Sequence, residues 1–187
     1  MKQESLPLYI LRITAVLLVI AVVVAGLLAV VNRVTAPVIA AATEAKTQAA
    51  IRQVLPSGYE EELTAFPDES GLVSRVYRGA EGYALEVNPV GFDSAVCMMV
   101  GIDNQGKVLG IAVVSHTETS GLGAVAAANN SAGQAFRDQF AGASGAVAVT
   151  KDGGQIDAIT GATVTSRAVC EGVNAALACV AGLEGGK

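Results

Sequence analysis

The feature that most limits how this chain can fold is the run Ile13–Val31, ITAVLLVIAVVVAGLLAVV, 19 residues in which Thr14 is the only polar member. As a helix it spans roughly 28 Å, close to the ~30 Å hydrocarbon core of a bilayer. A chain of 187 residues has no core deep enough to bury every side of such a helix. The apolar region of a cleaved signal peptide is typically ~7–15 residues and ends in a small-x-small site. This run is longer and leads into Asn32-Arg33, so it reads as a retained single-pass anchor. Lys2 and Arg12 on one side outweigh Arg33 on the other, which favours a cytoplasmic N-terminus. Without Lys2, Arg12, Arg33 and Glu4, the rest of the chain carries a net charge of −7. An anionic cytoplasmic leaflet repels such a domain, which therefore faces outward. The same acidity, with no Trp and only 4% aromatic residues, argues against a nucleic-acid partner. With 52% apolar and 16% charged residues and a mean hydropathy of +0.50, disorder is excluded.

Beyond the anchor, the sequence predicts a helix over 35–55. Thr35 is placed to cap it, Pro37 suits its first turn, and Pro56-Ser57-Gly58 stops it. The polar stretch with Glu60-Glu61-Glu62 and Pro67 reads as a solvated linker. Four β-rich runs follow, at 72–78, 83–88, 94–102 and 108–115. Breaks that short suit antiparallel hairpins, because a parallel crossover needs about a dozen residues or more. A loop at 117–123, a short helix with connections within 124–140, a short strand at 147–150 and a helix over 163–180 complete the expectation. The fold class is α+β: one N-terminal transmembrane helix, then an antiparallel sheet packed with helices. The chain divides into an N-terminal segment and anchor (1–34), a connecting helix and linker (35–70) and a ligand-binding domain (71–187). Cys97, Cys170 and Cys179 form no metal-binding pattern and read as small buried hydrophobes, and no metal site is expected.

Two segments can carry chemistry. In Asp157-Ala-Ile-Thr160-Gly161-Ala162-Thr163-Val-Thr165-Ser166, a turn of small residues opens into the last helix. Backbone N–H groups at such a start, helped by the helix dipole, attract an anion, and Thr163 adds a hydroxyl there. Plain helix capping by Thr160, Thr163 or Ser166 is the competing reading. In His116-Thr-Glu118-Thr119-Ser-Gly121-Leu122-Gly123, two glycines let the backbone approach a ligand closely. His116 is the only histidine of the chain, so no histidine pair is available for a metal.

Together the two segments resemble the signature of the FMN-binding domain family. The pattern D-x-x-(S/T)-G-A-T is that family's flavinylation motif, and H-x-E-T-x-G-L-G is its second loop. With the single anchor, the chain over residues 8–182 resembles the G subunits of Rnf electron-transport complexes and, more distantly, the C subunits of the Na+-translocating NADH:quinone oxidoreductase. Family members often carry Trp before the Gln-Phe element, where Phe136 stands here before Gln139-Phe140. The resemblance implies one FMN, covalently held by a phosphoester to Thr163. Thr160, Gly161, Ala162, Thr165 and Ser166 then stand beside the phosphate. His116, Glu118, Thr119, Gly121 and Leu122 line the flavin or its phosphate, and Arg167 or Lys151 assists. Asp157 serves the flavin transferase that acts during maturation.

The implied function is electron relay within an ion-translocating ferredoxin:NAD+ oxidoreductase, with enzymatic activity belonging to the complex. The implied partners are the other Rnf membrane subunits, both polytopic and iron–sulfur or flavin-carrying, in a bacterial inner membrane with the FMN domain on the extracytoplasmic side. The alternatives are a stand-alone anchored flavoprotein carrier on the outer surface, and a non-redox anchored binding or scaffold protein.

Overall fold

The computed structural model describes residues 6–185. Lys2, which entered the orientation argument, lies outside them. Residue contacts divide the chain into two compact units, Met1–Ala45 and Lys46–Lys187. Helix α1 runs over Leu6–Val54, 49 residues, or roughly 74 Å at the α-helical rise. In the first unit its apolar side chains are exposed on every side, among them Leu17, Leu18, Leu27, Leu28 and Val31. Such a surface needs lipid or protein around it.

The expected break at Thr35 is not there. The Thr35 hydroxyl donates back to the Val31 carbonyl at 2.9 Å, and Pro37 sits inside the helix. Helix-forming sequence continues on both sides, so the helix runs through the cap-like Thr35-x-Pro37 pattern despite the lost Pro37 hydrogen bond and the crowding of its ring against the carbonyl four residues back.

The second unit is built on a five-stranded antiparallel meander in the order β1-β2-β3-β4-β5. Its strands are β1 (Glu61–Leu63), β2 (Val73–Arg78), β3 (Gly82–Val87), β4 (Cys97–Asp103) and β5 (Val108–Ser115). The last four match the four predicted strands. The stretch expected to be a solvated linker supplies β1 instead. Its carboxylates stay in solvent at the sheet edge, and Glu61 stands opposite Arg78. An opposite-charge pair suits an edge strand, whose outer side stays wet.

Both faces of the sheet are covered. One face, with Val76, Leu85, Val87, Met98, Val100 and Ile102, packs under helix α3 (Thr163–Gly185), through Val169, Val173 and Ala176 among others. The other face, with Tyr77, Ala84, Met99 and Ala112, receives Ala50, Ile51, Val54 and Leu55 from the end of α1 and just after it. A Cβ on Gly101 would strike the Val54 carbonyl, so a bare backbone is what lets that helix end approach. Burial on both faces explains why β3 and β4 are nearly continuous in apolar residues despite being antiparallel. Helix α3 is long and apolar, but its inward face is spent on this core.

The segment between β5 and α3 carries a 3-10 turn (Gly123–Ala127), helix α2 (Ser131–Asp138) and a second 3-10 turn (Thr150–Asp152). Asn130 caps α2 by accepting from Gly133 N–H at 2.9 Å. The strand expected at 147–150 reduces to one bridge, Val149 to Ile156. Val147 finds its partner on α3: the Asn174 amide accepts from its N–H at 2.7 Å and donates to its carbonyl at 2.8 Å. The three cysteines are free, Cys170 and Cys179 within the core and Cys97 partly buried. Burial pushes each thiol up to about 11.

Candidate functional site

The two motif segments meet at the start of α3. Gly161 adopts the left-handed backbone (φ +76°) that a side chain would strain, and Ala162 N–H closes the turn on the Ile159 carbonyl at 2.9 Å. The first N–H of the helix to reach a carbonyl is that of Ser166, on Ala162. The N–H groups of Thr163, Val164 and Thr165 precede it, at the end of the helix where the dipole favours negative charge. Ser166 is wholly buried and holds the turn. Its hydroxyl donates to the Ala162 carbonyl at 2.9 Å and accepts from Ile159 N–H at 3.0 Å.

Thr163 and Thr165 have opposite environments. Thr163 is half-buried in the wall of a cavity of about 320 Å³ lined also by Phe92, Glu118, Thr119, Leu122 and Lys151. The Lys151 ammonium lies 3.4 Å from its hydroxyl. Thr165 is 1% exposed and donates to Glu118 Oε2 at 2.5 Å. The other Glu118 oxygen accepts from the N–H groups of Phe92 and Asp93, at 2.8 and 3.2 Å. One buried carboxylate thus ties the loop before β4 and the loop after β5 to the first turn of α3. Gly91 and Gly123 are small because a Cβ at either would collide with Glu118.

Of the residues singled out in the sequence, Glu118, Thr119, Leu122, Gly161, Ala162, Thr163 and Thr165 line this cavity. Gly121, Asp157 and Thr160 line a neighbouring one, with Phe136 and Gln139. The backbone of Asp157 is held by Gln139, whose amide accepts from its N–H at 2.7 Å and donates to its carbonyl at 3.3 Å. His116 lines neither, and its buried Nδ1 has no hydrogen-bond partner. Phe92 and Val164 join the first cavity unforeseen. Phe92 is an exposed aromatic in a loop after glycine, a cue that was in the sequence.

Between the two basic candidates the geometry chooses. Arg167 is engaged by Asp152 through two bonds of 2.7 Å. These bonds hold the Asp152 carboxyl below its ordinary range and raise the guanidinium. Lys151 is the cation in the cavity wall. Donor N–H groups, an ammonium and a hydroxyl at one end of an otherwise apolar cavity fit a phosphate joined to a large flat ligand.

Similarity to known proteins agrees with that chemistry. Residues 91–178 match the FMN-binding domain, which defines the class: a flavin-binding domain. Residues 1–54 match the RnfG N-terminal region. The G subunit of an ion-translocating oxidoreductase complex from Methanosarcina acetivorans is 31% identical, over 94% of this chain and 97% of its own. The identically named protein of Pseudomonas aeruginosa is 35% identical, over 89% and 86%. The G subunit of the Na+-translocating ferredoxin:NAD+ oxidoreductase complex from Acetobacterium woodii is 32% identical, over 88% of each chain. The chain belongs to the family of G subunits of Rnf-type ion-translocating oxidoreductase complexes.

Proposed function

We propose that the chain carries one FMN through a phosphoester on Thr163 Oγ1 and relays electrons within an Rnf-type ferredoxin:NAD+ oxidoreductase. The observation that carries this is the placement of the Thr163 hydroxyl. It sits in the cavity wall, at a helix start with open N–H groups, 3.4 Å from the Lys151 ammonium. An ester there keeps one negative charge, which those N–H groups and Lys151 balance. When bound, the flavin supplies the one- and two-electron chemistry, and the protein sets its position and surroundings. Leu122, Val164 and Phe92 offer the apolar wall for its ring, and Glu118 fixes the loop that carries Phe92.

Tethering by phosphate leaves the ring free to react and prevents loss of the cofactor. Asp157, outside the first cavity, serves the transferase that installs the flavin. The anchor is a single pass with its N-terminus cytoplasmic, and the flavin domain (71–187) faces the extracytoplasmic side beside the other membrane subunits.

The test is a denaturing gel of the full chain made together with a flavin transferase. A band with flavin fluorescence is expected, lost in Thr163→Ala and kept in Thr165→Ala. A Thr163→Ala band that still fluoresces overturns the assignment.

A further inference from the structure

We propose that Asp152 and Arg167 form a clamp that holds the Lys151 ammonium over the Thr163 hydroxyl, as the fixed positive charge for a phosphate at that oxygen. The inference rests on the reading of Thr163 as the attachment point.

Lys151 is the middle residue of the three-residue 3-10 turn Thr150–Asp152, which ends at Gly153 in the left-handed conformation (φ +84°). So short a helical turn has little rigidity of its own. It is tied at one end by Thr150 N–H on the Ile156 carbonyl at 2.9 Å. At the other end Asp152 takes both nitrogens of its guanidinium partner, Nε on one carboxylate oxygen and Nη2 on the other, each at 2.7 Å. Residues four apart share one face of a helix, so Arg167 stands one turn along α3 from Thr163. The residue after Lys151 is therefore fastened to the same helix face that presents the proposed acceptor oxygen. A planar fork gripped at two points fixes direction as well as distance.

The charges around the cavity leave the task to Lys151. Arg167 spends its charge on Asp152. Glu118 is the other titratable group in the wall, and its oxygens are taken by the Thr165 hydroxyl and the N–H groups of Phe92 and Asp93. Among the described residues no carboxylate lies within ion-pair distance of Lys151 Nζ. A phosphate at Thr163 thus meets one uncommitted cation.

The same geometry acts when the ester forms. The Thr163 oxygen bonds to phosphorus as the anhydride bond of a flavin nucleotide donor breaks. The leaving phosphate departs with the electron pair, and the hydroxyl proton passes to a base of the modifying enzyme. Negative charge grows on the phosphoryl oxygens, in front of the ammonium. In this scheme Asp152 and Arg167 are positioning residues that act through Lys151.

The experiment uses the full chain in membranes with its flavin transferase and a flavin dinucleotide donor. It reads the initial rate of flavin attachment, the 31P resonance of the attached phosphodiester and the thermal midpoint. Lys151→Gln is expected to slow attachment roughly tenfold or more and to move the 31P resonance, with the midpoint unchanged. Lys151→Arg should keep most of the rate. Asp152→Asn and Arg167→Gln should each slow attachment about threefold, the scale of an exposed ion pair. The exchanged pair Asp152→Arg with Arg167→Asp should recover the rate. A Lys151→Gln chain that is modified at the wild-type rate with an unmoved 31P resonance overturns the role of the lysine. Unchanged rates in both single clamp variants overturn the clamp. A wild-type chain that acquires no flavin overturns the attachment reading, and this proposal with it.

Discussion

The same two motif segments line two neighbouring cavities, and the two are built differently. The first holds Thr163, Lys151 and Glu118, with the start of α3 in its wall. The second holds Asp157, Thr160, Gln139 and the buried Phe136, whose ring meets Phe140 edge-on at 5.4 Å. The division falls inside the motif, since Thr160 faces one cavity and Gly161 the other. The turn over 159–162, with Gly161 left-handed and Ala162 N–H closed on the Ile159 carbonyl, makes that division possible by redirecting the chain between the two residues. A motif that is a single string in sequence is thus two surfaces in space. One has open helix N–H groups and a lysine in its wall; the other has Asp157 and the amide of Gln139 beside an aromatic ring.

Four substitutions break or sharpen this contrast. Thr163→Ala has the largest expected effect, complete loss of covalent flavin with the fold intact, read by mass spectrometry of the peptide around residue 163 and by the thermal midpoint. Phe136→Ala removes the aromatic floor of the second cavity and should cost ~3–5 kcal/mol in denaturant unfolding. The chains that remain folded should still carry flavin. If flavin vanishes from that folded fraction, the two cavities are one functional unit and the contrast fails.

Glu118→Ala strands the Thr165 hydroxyl and two backbone N–H groups, and should cost about 2–3 kcal/mol. It should also free the Phe92 loop, visible as faster amide exchange at Phe92 and Asp93. Thr165→Val is the smallest, about 1 kcal/mol, with flavin retained. Combined with Glu118→Gln in a double-mutant cycle, it should show coupling between the two side chains. Additive costs would mean that their hydrogen bond contributes nothing of its own.

The thermal and denaturant readings concern the second unit, whose sheet carries one buried cluster on each face, under α3 on one side and under the end of α1 on the other. The first unit differs in kind. Its helix hides no apolar face in the structure, so its stability depends on what surrounds it.

Much of this was legible in residues alone. The apolar run at 13–31 dictated a helix too hydrophobic for water. Four β-rich runs with short breaks dictated antiparallel neighbours, and the turn at 160–163 dictated an open helix start. Each of these signals is local, carried by residues adjacent in the chain. The failures were local signals overruled by distant partners. Thr35 looked like a cap, but helix continues on both sides of it. Glu61 looked like linker until Arg78 came to stand opposite. Val147 looked like strand until Asn174, 27 residues away, took its backbone. The choice of Lys151 over Arg167 belongs to this second kind, because it depends on where Asp152 lies in space. So do the roles of Glu118 and Phe92, since a buried carboxylate must find its donors wherever the fold supplies them. Sequence determined most of the elements, the long apolar helix and the presence of a hydroxyl at the start of α3. Tertiary structure decided which charge stands over that hydroxyl and which side of the turn each motif residue serves, because hydrogen bonds and ion pairs between distant segments exist only after the sheet and α3 have packed.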